Sequence, residues 1–230
     1  MKLNTNTNTY IIIYSTILVI IVAFLLAFIF KALKPMQDAN VALDLKKQIL
    51  YSLNIRDLDG SEAEAKYAEV VKEEKEIDGQ KIYMCQVDGE EICVCSMKGM
   101  GLWGGISGYI AIHDQDGPTV YGAYFNHESE TAGLGAEIKD SQTWQEKFIG
   151  KKVFVDGTQD VAISIVKKVE DPTTQVDVVT GATLTSNGVN DMIKAGLKDA
   201  GKNAVELFSK MMCTPEPADS TAVEPKAEEE

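Results

Sequence analysis

Between Tyr10 and Phe30 the chain runs through 21 residues without a charge, mostly Ile, Leu, Val, Phe and Ala. At about 1.5 Å per residue, a helix of that length spans about 31 Å, the thickness of a bilayer's hydrocarbon core. The run is longer than a signal-peptide core, and Phe28-Ile29-Phe30 stands where a small-residue cleavage site would be needed. The pattern therefore predicts an uncleaved single-pass anchor. Beyond it, in residues 38–55, Val41, Leu45, Ile49 and Leu53 recur at helical spacing with Leu43 and Leu50 beside them. This predicts an amphipathic helix linking the anchor to the domain, broken by the polar stretch Asn54–Gly60. Residues 61–76 are rich in Glu and Lys and read as an exposed helix.

From residue 81 the period changes to that of strands. Lys81–Val87 and Glu90–Met97 flank Asp88-Gly89, a two-residue hairpin signal. Gly108–His113 and Thr119–His127 follow as strands with Asp116-Gly117 between them, and Val153–Val155 and Val161–Val169 extend the β content. Val189, Ile193, Leu197 and Ala200 then return to helical spacing. The expected fold class is α+β: a single N-terminal transmembrane helix, then a mostly β domain with flanking helices.

Charge narrows the choice of partners. The 230 residues carry a net charge of −13, which argues against nucleic acid. Residues 214–230 hold six acids, one lysine and three of the six prolines, the composition of a disordered tail. The chain divides into residues 1–9, an N-terminal tail; 10–30, the transmembrane helix; 31–80, a juxtamembrane helical segment; 81–212, the main domain; and 213–230, the acidic tail.

Candidate chemistry concentrates in Asp177–Ser186, DVVTGATLTS. An acid and β-branched residues lead into small and hydroxyl residues just where an amphipathic helix begins. A hydroxyl there can serve simply as an N-cap. The unpaired N–H groups and partial positive charge of a helix start also favour a phosphate. Lys98–Gly108, KGMGLWGGISG, contains a formal GxGxxG at Gly99, Gly101 and Gly104. A strand-like segment follows it where a dinucleotide site would need a helix, so it reads as a glycine-rich bend. Trp103, among these glycines, could lie flat against a planar ring. Of the four cysteines, the hairpin register sends Cys85 to one face and Cys93 and Cys95 to the other, where they are small core residues. No spacing supports a metal site, and no nucleophile–base set supports catalysis by side chains.

Asp177–Thr183 matches every defined position of the flavinylation motif Asp-x-x-(Ser/Thr)-Gly-Ala-Thr. Together with KGMGLWGGISG, NHESETAGLGAEI and the juxtamembrane VALDLKKQILYSLNI, it closely resembles the C subunit of the sodium-translocating NADH:quinone oxidoreductase. The resemblance covers roughly residues 10–212, with Ala132 standing where that family often has proline.

The resemblance implies an FMN-binding domain at 81–212. Its FMN would be joined covalently, as a phosphoester, to Thr183. Asp177, Thr180, Gly181 and Ala182 complete the motif, with Thr185 beside it. Leu102, Trp103, Glu130, Thr131 and Leu134 would lie around the flavin. The implied task is electron relay from iron–sulfur centres towards quinone, coupled to sodium export. Partners would be the other subunits of the membrane-bound NADH:quinone reductase complex, a flavin transferase during maturation, and membrane lipid around the N-terminal helix.

Two alternatives stand beside this reading. One is the G subunit of the related ferredoxin-linked complex. The other is a flavin-free anchored scaffold domain using TGAT as a helix cap. For sidedness, Lys2 precedes the span while Lys31, Lys34, Lys46 and Lys47 follow it, so the positive-inside rule favours a cytoplasmic domain. The resemblance instead implies the inner membrane with a periplasmic flavin domain.

Overall fold

A computed structural model describes residues 7–77, 79–114, 117–155, 158 and 160–198. The expected acidic tail, Cys213, Ala200 and Asp116 lie outside the described residues. The chain forms two units, Met1–Lys47 and Gln48–Glu230.

Helix α1 runs from Asn8 to Ser52, and its apolar stretch is long enough to cross a membrane. The sequence predicted an anchor and a second helix; α1 is one helix with Pro35 inside it. A proline costs one backbone hydrogen bond. Its surroundings compensate, because Lys, Ala, Leu, Met and Gln favour helix, and Lys34 pairs with Asp38 at 3.1 Å. Ile49, Leu50 and Leu53 are buried as expected, whereas Val41 and Leu45 are exposed.

The expected helix over 61–76 is corrected in its second half. Helix α2 spans Gly60–Val70, opened by a capping box in which Asp59 accepts from the Glu62 N–H at 2.9 Å. Val71–Ile77 is instead strand β1. Its Lys and Glu residues suit a sheet edge, where charge blunts pairing with other chains. Pairing with the next strand outweighs their helical preference, and Lys81 meets Glu74 across that pairing at 2.6 Å.

Strands β2 (Gln80–Val87), β3 (Glu90–Met100), β4 (Gly105–Asp114) and β5 (Pro118–His127) complete an antiparallel sheet in the order β1-β2-β3-β4-β5. The Asp88-Gly89 hairpin forms as predicted, with φ of 52° and 85°. Cys85 therefore faces Ile92, and Met84 faces Cys93. Alternation divides the sheet: Ile82, Met84, Cys93, Cys95, Ile110 and Phe125 face the main core, while Tyr83, Cys85, Val94, Tyr109 and Tyr124 face the other side. That second face meets the end of α1, where Tyr51 and Tyr124 lie 5.2 Å apart. Cys85, Cys93 and Cys95 are buried and unbridged.

The main core is closed by two short helices, α3 (Glu137–Asp140) and α4 (Gln142–Glu146), and by α5 (Thr183–Lys198). The long strands expected at 153–155 and 161–169 shrink to isolated bridges and to β6 (Ser164–Val166), which pairs in parallel with β7 (Gln175–Asp177). Helix α5 presses its Val189, Met192, Ile193 and Leu197 onto the sheet along β3. At Gly188 the backbones come so close that a Cβ would collide with the Met100 carbonyl.

Candidate functional site

The DVVTGAT segment is a strand-to-helix turn. Asp177 is the last residue of β7 and Thr183 the first of α5, with Val178–Ala182 between them. Two neighbours on α4 and just after it hold Asp177. Trp144 Nε1 donates to its backbone carbonyl at 2.8 Å, and Lys147 Nζ reaches both carboxylate oxygens at 2.8 and 2.9 Å. Gly181 adopts φ +77°, which makes the turn possible. Ala182 and Ser186 then fix the helix start. The Ala182 N–H donates to the Val179 carbonyl at 3.0 Å, and Ser186 Oγ accepts from the Val179 N–H at 3.0 Å while donating to the Ala182 carbonyl. Thr180 is exposed and Thr183 half-buried. The first N–H groups of α5 have no partner within the helix, so the turn has the electrostatics of an anion site.

Beside this turn lies an open groove of about 560 Å³. It is lined by Asp177–Gly181 of the turn, by Gly133 and Leu134, and by Glu137, Ser141, Thr143, Trp144 and Lys147. The predicted residues Asp177, Thr180, Gly181 and Leu134 thus converge. Thr131 sits at the head of the same loop, where its carbonyl accepts from the Leu134 and Ala136 N–H groups at 3.1 and 3.0 Å.

A second group gathers around Glu130. The glycine-rich segment forms the turn between β3 and β4, closed by the Gly101 N–H donating to the Gly104 carbonyl at 2.9 Å. It puts Leu102 and Trp103 at the surface, with Trp103 67% exposed. Glu130 is buried beneath, accepting from the Trp103 N–H at 2.8 Å and from the Thr185 hydroxyl at 2.7 Å. Burial pushes its carboxyl up. Hydrogen bonds from Thr185 and from the Trp103, Leu102 and Gly104 N–H groups outweigh that and leave it below the usual carboxylate range.

Sequence reasoning missed four residues here. Met100 and Leu184 are 69% and 61% exposed, large apolar side chains at the surface like Leu102, Trp103 and Leu134. Leu184 was detectable, because it stands off the Val189–Ile193–Leu197 stripe. Trp144 and Lys147, three apart, carried no local signal of their contact with Asp177.

These residues fit a flavin mononucleotide. The groove has the size of a cofactor site, exposed aromatic and aliphatic side chains offer a surface for a planar ring, and a helix start with a nearby lysine suits a phosphate. Residues 101–198 match the FMN-binding domain family. The protein thus carries a domain of this family after a helix able to cross a membrane.

The chain is similar to the C subunit of Na(+)-translocating NADH-quinone reductase from Parabacteroides distasonis. The two are 31% identical with a TM-score of 0.66, covering 80% of this chain and 98% of that one. It belongs to the family of that subunit. The corresponding protein of Neisseria meningitidis is 40% identical over 134 residues, 58% of this chain and 47% of its own length. That of Haemophilus ducreyi is 40% identical over 131 residues, 56% and 46%. The chain spans about half the length of the curated relatives it matches. Shewanella oneidensis NqrC, at 21% identity and a TM-score of 0.59, shares the fold.

Proposed function

We propose that this protein is the flavin-carrying subunit of a membrane-bound NADH:quinone reductase. In this reading Thr183 carries FMN through a phosphoester, and the protein relays electrons from iron–sulfur centres of a partner towards quinone, coupled to sodium export. The observation that carries it is the DVVTGAT turn: a complete acceptor motif placed on a strand-to-helix turn, with Thr183 opening α5. A flavin transferase would install the group, and the flavin domain would lie in the periplasm.

Bound there, FMN would supply the redox chemistry. The protein's residues bind and orient. The N–H groups at the start of α5 would hold the phosphodiester charge. Gly181 keeps the turn open beside Leu134, and Asp177 is held by Lys147 and Trp144. Leu102, Trp103, Leu134, Met100 and Leu184 are exposed apolar side chains that would offer surface to the ring.

The test is chemical. Protein made with a flavin transferase should carry FMN minus water on the peptide containing Thr183, and Thr183→Ala should lose in-gel flavin fluorescence while still folding. Full flavinylation of Thr183→Ala, or modification mapped to Thr180 or Thr185, would overturn the assignment.

A further inference from the structure

We infer that Glu130 is a positioning residue whose buried carboxylate ties the Trp103 turn to the first turn of α5, so that it acts on the flavin through Trp103 and not through its own charge. This rests on the flavin being carried at Thr183. Three segments distant in sequence meet on this one side chain. Oε1 accepts from the Trp103 N–H at 2.8 Å, and Oε2 accepts from the Thr185 hydroxyl at 2.7 Å. The Leu102 and Gly104 N–H groups also point their hydrogen bonds at it. A carboxylate offers about four acceptor sites, so the protein itself uses them. With 8% exposure, little of Glu130 remains for a ligand.

The surrounding glycines show that the space is shaped for this carboxylate. A Cβ on Gly101 would lie 2.5 Å from Oε1, and one on Gly135 would collide with Oε2 and come within 2.7 Å of the Thr185 hydroxyl oxygen. Both flanking loops therefore close directly onto Glu130. Its own N–H donates to His127 Nδ1 at 3.2 Å, which anchors the residue to the end of β5. Above it, the indole of Trp103 is largely exposed. The base of the turn packs on α5, where the Met100 carbonyl meets Gly188, and its own closing bond runs from the Gly101 N–H to the Gly104 carbonyl. The bonds to Glu130 add a second tie, joining the Trp103 N–H to Thr185 in the first turn of α5.

The variant Glu130→Gln separates position from charge. Its side-chain amide can still accept from the Trp103 N–H through the oxygen and donate to the Thr185 oxygen through the nitrogen, without a charge. In the flavinylated full chain, Trp103→Leu should brighten the flavin. Glu130→Ala should brighten it by at least half as much, and the double variant should add nothing further. Glu130→Gln should restore both fluorescence and reduction potential to near the parent values. Thr185→Val, cutting the other end, should act like Glu130→Ala, and Thr185→Ser should not; this pair serves if Glu130→Ala fails to fold.

Equal potential shifts in Glu130→Gln and Glu130→Ala would show that the charge acts directly and would overturn the proposal. So would variants that lose thermal stability with unchanged flavin fluorescence. Flavin retained by Thr183→Ala would instead overturn the attachment site, a separate failure.

Discussion

Lys147 grips Asp177 through both carboxylate oxygens, and one helical turn earlier Trp144 binds the carbonyl of the same residue. The acceptor turn is thereby held at its first residue by the α4 region, well before Thr183. The two contacts differ in energy. Lys147 and Asp177 are each nearly half exposed, and such ion pairs contribute about 0–1 kcal/mol. The Trp144 ring packs against both Phe125 and Phe148, at 5.6 and 5.2 Å.

Lys147→Ala should therefore lower unfolding free energy by less than about 1 kcal/mol, while Trp144→Ala should cost about 3–5 kcal/mol. Urea denaturation measures both. If Asp177 must be held for the transferase to act, Lys147→Ala should also lower the flavin-to-protein ratio, and Lys147→Arg should recover much of it. Full flavinylation of Lys147→Ala would show the ion pair to be dispensable.

Gly181 offers a sharper test of the turn. An L-residue at φ +77° costs about 1–2 kcal/mol. A Cβ there would also lie 2.9 Å from Leu134 Cδ2, although that methyl can move. Gly181→Ala should destabilise the domain by about 1–2 kcal/mol and reduce flavin loading. An unchanged urea midpoint would mean that the turn relaxes to another conformation.

Much of this fold was legible in the chain. The Asp88-Gly89 signal predicted the hairpin and its register, hence the faces of Cys85, Cys93 and Cys95. The helix after TGAT and the glycine-rich turn bearing Trp103 were equally plain. Strand β1 was not legible, because Val71–Ile77 is as charged as an exposed helix and only its pairing with β2 makes it a strand. The continuity of α1 through Pro35 was not legible either, since it depends on neighbours that favour helix strongly enough to carry it past the proline. At the site, the motif placed Asp177, Thr180 and Gly181 on one turn, and these three line the groove. The grip of Lys147 and Trp144 on Asp177 joins residues 30 and 33 apart, which no local pattern encodes.

Acid stability should carry the signature of Glu130. Its carboxyl titrates below the usual range in the folded protein, so its ionised form stabilises the fold above the unfolded value, about 4.3, and that stabilisation is lost as pH falls through the folded value. Asp171, held at about 2 by the Thr173 and Thr174 hydroxyls, contributes in the same direction down to that pH. Glu130→Gln should therefore flatten part of the stability loss below about pH 4 and leave the neutral region nearly parallel to the parent. The measurement is the urea midpoint as a function of pH. An unaltered acid limb in Glu130→Gln would mean that Glu130 is not held ionised.

Sidedness sets two arguments against each other. Lys31, Lys34, Lys46 and Lys47 follow the apolar run and only Lys2 precedes it, which favours a cytoplasmic domain. That rule weakens for long domains, which translocate largely regardless of charge, and roughly 200 residues follow the run here. Asp38 also lies against Lys34 at 3.1 Å, although acids count for little in the rule. The periplasmic placement proposed above predicts that alkaline phosphatase fused after Glu230 is active and green fluorescent protein dark. Fluorescent protein with inactive phosphatase would put the flavin in the cytoplasm and require its electrons to come from that side.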